Sequence, residues 1–238
     1  MINVPFSLDE LKAGKVFYIN KPLGWTSFDV VNKVRSAWCK YFKEKKLKVG
    51  HAGTLDPLAT GVIVVCTGKC TKQIDALQAH EKEYVATLEL GATTPSFDKE
   101  HEIDQRYPFE HITREQVDET LKQFVGEILQ VPPVYSAVKI DGKRAYDYAR
   151  KGRDVELRAK PLQIKEIEVI DFSLPLLTIR VVCSKGTYIR ALARDIGNAL
   201  NSGAYLVSLE RTRVGDTSIE HCTTVEMLTT PYLSLINK

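Results

Sequence analysis

The alternation of apolar and polar positions predicts strands at Lys15–Asn20 and Val62–Cys66. The run Glu83–Leu90 alternates strictly and puts Tyr84, Ala86, Leu88 and Leu90 on one face. Lys165–Phe172 and Leu177–Cys183 follow, the second placing Leu177, Ile179, Val181 and Cys183 on one side. Helical spacing marks four further segments. Ser27 caps a helix to about Trp38, with Asp29 in its first turn and Val30, Val31 and Val34 apolar. Thr113 and Gln116 form a capping box for a helix carrying Val117, Leu121 and Phe124, stopped near Gly126. Tyr146–Lys151 reads as a short helix ended by Gly152. Thr187 caps Tyr188–Leu200, whose apolar stripe is Ile189, Leu192, Ala193, Ile196 and Leu200.

Strands and helices do not alternate regularly enough for a doubly wound parallel sheet. The order predicts an α+β fold with a mixed, mainly antiparallel central sheet and flanking helices. The polar stretch from Phe97 to Pro108 reads as an exposed connection. Gln130–Leu157, with two prolines, glycines and many basic residues, reads as an inserted arm outside the core.

With 238 residues, the chain can bury about 70% of its unfolded surface and needs no disulfide or metal for a core. The apolar and charged fractions, 44% and 26%, are those of a globular protein. The longest apolar run, Val62–Cys66, is too short to span a bilayer, and the N-terminus lacks the apolar core of a signal peptide. Five cysteines without framework spacing imply a reduced, cytoplasmic protein. A net charge of +3 does not announce a partner. Its distribution is more telling. Lys40, Lys43, Lys45, Lys46 and Lys48 cluster in one place, and Lys139 to Lys160 carries a second basic group around Tyr146 and Tyr148. Either cluster alone can be a solvated face; two interleaved with aromatics favour a polyanion.

The segment VGHAGTLDPLATG carries Gly50, Gly53, Gly61 and Pro57 around Asp56, just before an apolar strand. Such a loop is tightly shaped, and Pro57 biases Asp56 toward extended backbone. A carboxylate held there can act as nucleophile or base, or merely accept backbone hydrogen bonds in a turn. His51 and Asp56 lack a third ligand at metal spacing, and no phosphate-cradling glycine motif is present. In KGTYIRALARDIG, Arg190 sits in the first turn of a helix, where positive charge is disfavoured. It is either a surface charge or the bidentate partner of an acid. Tyr84 is either core packing or a platform for a base.

Taken in order, NKPLGWTS, VGHAGTLDPLATG, PPVYSAVKIDGKRAY, SKGTYIRALARDIG and LVSLERTRVG resemble the motifs of the TruB family of tRNA pseudouridine synthases. The resemblance runs from about Val16 to Leu228. It implies the pseudouridine synthase fold as a single catalytic domain over 1–238, with a thumb insertion at about 130–157. It implies an isomerase that flips the T-loop uridine (tRNA position 55), cleaves its glycosidic bond and reattaches the base through C5. By position, Asp56 matches the family's catalytic aspartate, Tyr84 the tyrosine stacking on the base, and Arg190 the arginine pairing with the acid. His51, Tyr188, Leu209, Lys21 and Pro22 match substrate-binding positions. No metal or cofactor is implied, and the partner is the tRNA T-arm, bound by a monomer without an obligate protein partner. The short tail after Gly215 leaves out the C-terminal RNA-binding module of PUA type found in many relatives. The competing readings are a guide-RNA-dependent synthase and a non-catalytic RNA chaperone.

Overall fold

The structure is a computed structural model, and it describes residues 4–136, 139–140, 143–145, 148 and 157–236. In chain order the strands are β1 (Val16–Lys21), β2 (Val49–His51), β3 (Ala59–Thr67), β4 (Lys82–Leu90), β5 (Ala92–Thr93), β6 (Gln105–Arg106) and β7 (Gly126–Gln130). They continue with β8 (Lys139–Ile140), β9 (Lys143–Arg144), β10 (Lys160–Ser173), β11 (Leu176–Cys183), β12 (Ala204–Val214), β13 (Thr217–Ser218) and β14 (Thr223–Thr224). The helices are α1 (Leu8–Ala13), α2 (Ser27–Phe42), α3 (Ile74–Ala79), α4 (Arg114–Lys122), α5 (Ile189–Ala199) and α6 (Val225–Ile236). The fold is α+β and its pairing is mainly antiparallel; β1 runs parallel to β14, and a parallel bridge joins Asp98 to Leu206. Contacts group the chain into two compact units, Met1–Glu83 with Glu210–Lys238, and Tyr84–Leu209.

In the first unit β3 lies antiparallel to β1, with Val16 opposite Cys66 and Lys21 opposite Gly61, and β2 lies along β3. The unbroken apolar run of β3 is explained by burial on both faces. Val62, Val64 and Cys66 pack with Ala52 and Val214, against Ile74 and Leu77 of α3. Ile63 and Val65 point the other way and are fully buried. Phe17, Trp38 and Tyr232 stack at ring separations of 5.5 and 6.3 Å, and Trp38 Nε1 donates to Leu228 O at 3.0 Å, joining α2 to α6. Within the cluster of Ala52, Val62, Val64 and Val214, Cys66 is a buried apolar thiol, pushed up to about 11 chiefly by burial.

The cap of α2 is Thr26, not Ser27. Thr26 Oγ1 accepts from Asp29 N at 3.0 Å, while Asp29 Oδ2 accepts from Thr26 N at 2.8 Å. The reciprocal pair needs a three-residue spacing, which Thr26 and Asp29 have. Ser27 is thereby released to turn inward. The helix also runs past Trp38 to Phe42, where Lys43 adopts a left-handed φ of 54°.

In the second unit the strand order is β12-β4-β11-β10-β7. Tyr84, Ala86, Leu88 and Leu90 are buried on one face of β4, and Leu177, Ile179, Val181 and Cys183 on β11, as the alternation predicts. The stripe of α5 is likewise buried at Ile189, Leu192, Ala193, Ile196 and Leu200. Its N-cap is Tyr188 rather than Thr187, and the Tyr188 side chain makes no capping hydrogen bond. The capping box of α4 is formed by Thr113 and Gln116, but the helix ends at Lys122, and Gly126 opens β7. Two readings of irregular segments are corrected. Phe97–Pro108 is not wholly exposed, because Asp98 is 4% exposed and pairs with Leu206. The arm is anchored at its root, with Gln130 at 1% and Ser136 at 5% exposure. The predicted helix Tyr146–Lys151 lies largely outside the described residues.

Candidate active site

In the first unit, the loop from His51 to Ala59 presents Asp56 half-buried between the exposed Thr54 and Pro57. Three buried polar side chains hold its backbone. Ser27 Oγ donates to Leu55 O at 3.0 Å and accepts from Leu55 N at 2.8 Å, clamping the residue before Asp56 in both directions. Lys21, fully buried, donates to Trp25 O at 2.6 Å, Pro22 O at 3.0 Å and Pro57 O at 3.5 Å. Arg211, 1% exposed, donates from Nε to Val62 O at 2.6 Å and reaches Thr54 O and Gly53 O at 3.4 and 3.3 Å. The loop's main-chain acceptors on both sides of Asp56 therefore end on cations and a hydroxyl, as buried carbonyls require.

The glycines fit the same frame. Gly61 has φ +99°, and a Cβ there would stand 2.3 Å from Arg211 O. Only a residue without a side chain allows that approach. Gly53, at φ +100°, turns the chain into the loop.

The electrostatics of this half follow from burial. The Lys21 ammonium is pushed down to about 8, chiefly by burial, with Arg211 adding to the shift and the charges of Asp56 and Asp29 opposing it. His51, half-buried in β2, is held below its usual range by burial and by the Arg211 charge, so its ring is neutral at pH 7. Lys21, expected at a substrate-binding position, has its ammonium turned into the carbonyls of Pro22 and Trp25 beside it and, at 3.5 Å, that of Pro57 in the loop. Pro22 beside it is half-exposed.

In the second unit, Arg190 occupies the first turn of α5 and is 6% exposed. Nη1 donates to Ser96 O at 3.1 Å and Nη2 to Tyr135 O at 2.9 Å, while Nε lies 3.5 Å from Asp98 Oδ2. Asp98 is fixed in turn: its Oδ1 accepts from Ser96 Oγ at 2.6 Å and Glu100 N at 3.0 Å. The preceding residue, Phe97, takes a left-handed φ of 60°, and Arg194 lies 5.0 Å over its ring. A non-glycine residue in that conformation costs on the order of 1–3 kcal/mol, a strain that the surrounding contacts must offset.

Tyr188, half-buried, is held by Gln130, whose Nε2 donates to Tyr188 O at 3.2 Å and whose Oε1 accepts from Tyr188 N at 2.9 Å. Tyr84 is 8% exposed on the buried face of β4 and Leu209 is half-buried in β12. The structure thus brings His51, Asp56, Lys21 and Pro22 into one unit, and Tyr84, Tyr188, Arg190 and Leu209 into the other.

Four residues of the site stand outside the sequence patterns: Ser27 reads as a helix cap, Arg211 is visible only within a motif, Asp98 lies in a stretch that reads as exposed, and Gln130 falls at the root of the predicted arm. Among the described residues, no group of three or more His, Cys, Asp or Glu side chains could hold a metal ion.

Comparison with known proteins adds the following. Residues 40–189 match the family described as TruB family pseudouridylate synthase (N terminal domain), a span that includes Asp56, Tyr84 and Tyr188. The chain is 67% identical over 215 residues to a tRNA pseudouridine synthase B of Phocaeicola vulgatus, covering 90% of this chain and 92% of that one. It is 51% identical to the protein of that name in Flavobacterium johnsoniae, over 90% of this chain and 93% of that one. Among solved structures, a Cbf5-Nop10-Gar1 complex contains a chain with a TM-score of 0.66 and 32% identity, covering 90% of this chain. An archaeal box H/ACA sRNP Nop10-Cbf5 complex contains one with a TM-score of 0.67 and 26% identity, covering 96%. This chain spans 53% and 57% of those two chains.

Proposed function

Because the chain belongs to the TruB family of pseudouridylate synthases, we propose that it isomerises the T-loop uridine of tRNA (position 55) to pseudouridine, with Asp56 as the reacting carboxylate. The single observation that carries this is the framing of Asp56: an acid in the family's matched segment, on a loop whose backbone is pinned by Ser27 at Leu55, Lys21 at Pro57 O and Arg211 at Gly53 O and Thr54 O. A carboxylate positioned in advance loses little freedom when substrate arrives, which is where enzymes gain much of their rate.

The reaction balances without any other reactant. The N1–C1′ bond of the flipped uridine breaks, the uracil turns, and a C5–C1′ bond forms. The C5 hydrogen leaves as a proton and N1 takes one up. Flipping costs a few kcal/mol, offset by stacking on an aromatic side chain and by hydrogen bonds in the pocket. Tyr84 is assigned the stacking role and Arg190 the role of ion-pair partner to the acid; His51, Tyr188, Leu209 and Pro22 are assigned to the nucleotide and its surroundings. Asp98 supports the Arg190 assignment, since a guanidinium fixed by a second carboxylate and two carbonyls is already oriented. Lys21 is assigned to the loop frame.

We further infer that the enzyme works on tRNA as a monomer in the cytoplasm, without protein partner or cofactor. Support comes from relatives named as tRNA pseudouridine synthase B that match over nearly their full length. The test is tritium release from C5-labelled uridine in an unmodified tRNA transcript. Wild type releases the label, and Asp56→Asn abolishes release while keeping RNA affinity within about threefold. Binding without release by the wild type overturns the proposal, and equal loss of binding and turnover in Asp56→Asn overturns the role of the carboxylate.

A further inference from the structure

The first unit carries a basic concavity that the reaction at Asp56 does not use. A cleft of about 660 Å³ opens between the C-terminal half of α2, the segment leading into β2, and the turn after β3. Its cations are Arg35, Lys45, Lys46 and Lys48, and its floor includes Leu47, Cys39 and Ile74. A second hollow of about 330 Å³ shares Lys46, Leu47, Lys48 and Thr71 with the first and adds Lys12, Lys69 and Lys72. Among the described residues, no aspartate or glutamate lines either one. Glu44, next to Lys45 in sequence, is engaged by Lys12. Among the described residues, no salt bridge involves Lys45, Lys46, Lys48, Lys69 or Lys72.

We propose that these joined hollows form a track for the phosphodiester backbone of the RNA flanking the target loop, a proposal that rests on the function above in taking RNA as the partner. Three features favour a repeating polyanion over a single small anion. The cations come from four separate places in the chain, α1, α2, the 45–48 segment and the 69–72 turn. The five unpaired lysines are exposed, so each offers a mobile point charge rather than a fixed fork. The track also leads toward the acid. Gly50 of β2 lines the cleft, and His51 is the next residue toward the Asp56 loop. At about 3.3 Å per strand residue, Lys48 and His51 are roughly 10 Å apart. An RNA held at its backbone in the cleft therefore has nucleotides within reach of the Asp56 loop.

Backbone contacts of this kind add affinity without sequence choice and release counterions. The test is the variant Lys46→Gln/Lys48→Gln/Lys72→Gln, measured with a T-arm stem-loop RNA. KM rises at least about tenfold at 0.1 M salt and kcat holds, and the slope of log K against log salt becomes shallower by roughly 2. Lys46→Gln alone moves both quantities in the same direction by about a third, which guards against a folding defect in the triple variant. Unchanged KM and slope overturn the proposal. So does inorganic pyrophosphate binding to wild type and not to the triple variant while RNA affinity stays equal in both, since that marks a small-anion site. RNA binding is read separately from tritium release. A wild type that releases no label while the variant still loses affinity overturns the proposed function and leaves the track standing.

Discussion

Arg211→Met tests whether the loop that presents Asp56 is held by a cation reaching from β12. Methionine keeps the apolar stem and deletes the guanidinium. The short bond from Nε to Val62 O, at 2.6 Å, is charge-assisted and buried, and such bonds contribute about 1.5–3 kcal/mol. The contacts to Gly53 O and Thr54 O, at 3.3 and 3.4 Å, are long and contribute about 0.5 kcal/mol each, at the lower end of the ordinary range. The sum is about 3 kcal/mol, roughly a fifth to three-fifths of the stability of a typical domain. For an unfolding slope of about 3 kcal/mol per molar urea, the midpoint falls by about 1 M. Freeing Gly53 O and Thr54 O also loosens the loop on the N-terminal side of Asp56, so kcat for tritium release falls at least about tenfold in conditions where the variant is fully folded. A midpoint within 0.2 M of wild type (about 0.6 kcal/mol at that slope), together with wild-type kcat, refutes the idea that Arg211 frames the acid. A lost midpoint with intact kcat separates the two claims and confines Arg211 to stability.

Gly61→Ala adds a Cβ 2.3 Å from Arg211 O at a backbone φ of +99°. The conformation alone costs on the order of 1–3 kcal/mol. With the clash added, a loss of about 3 kcal/mol lowers Tm by roughly 6–12 °C; a calorimetric drop under 2 °C counts against the close approach. For Lys21 the sign is set by a folded pKa of about 8 against 10.5 in the unfolded chain. Between those values the unfolded state binds the extra proton, so stability gains as pH rises from 8 to 10.5 and is flat below 8. Urea midpoints across that window rise in wild type relative to Lys21→Met. A difference that does not change with pH contradicts the buried ammonium.

What the sequence made legible were features set by local rules. The alternation of β4 and β11 and the stripe of α5 follow from period alone, and the burial of Tyr84, Leu177 and Ile189 agrees. The glycine and proline spacing around Asp56 announced a shaped loop, and Gly61 shows why. Illegible were the long-range polar contacts. Arg211 and Val62 are separated by 149 residues, and Arg190 and Ser96 by 94, so no window along the chain contains both partners. The misplacement of Arg190 at a helix N-terminus did signal a conflict, but not that Asp98 resolves it. Charge composition misleads at Asp98: ionised side chains usually face water, and this one is inside, accepting from Ser96 Oγ and Glu100 N beside Arg190.

The register of β7 against β10 has a consequence for how this protein can change. Gln130 faces Lys160 across the ladder, so the chain leaves and rejoins the sheet at one point. Closing such an excursion costs entropy that grows only with the logarithm of its length. Residues beyond Ser136 can therefore be lengthened, shortened or exchanged as a cassette, while Gln130 keeps its grip on the Tyr188 backbone and Tyr135 O stays on Arg190. Selection is free to rework that excursion without disturbing these two anchors of the second unit.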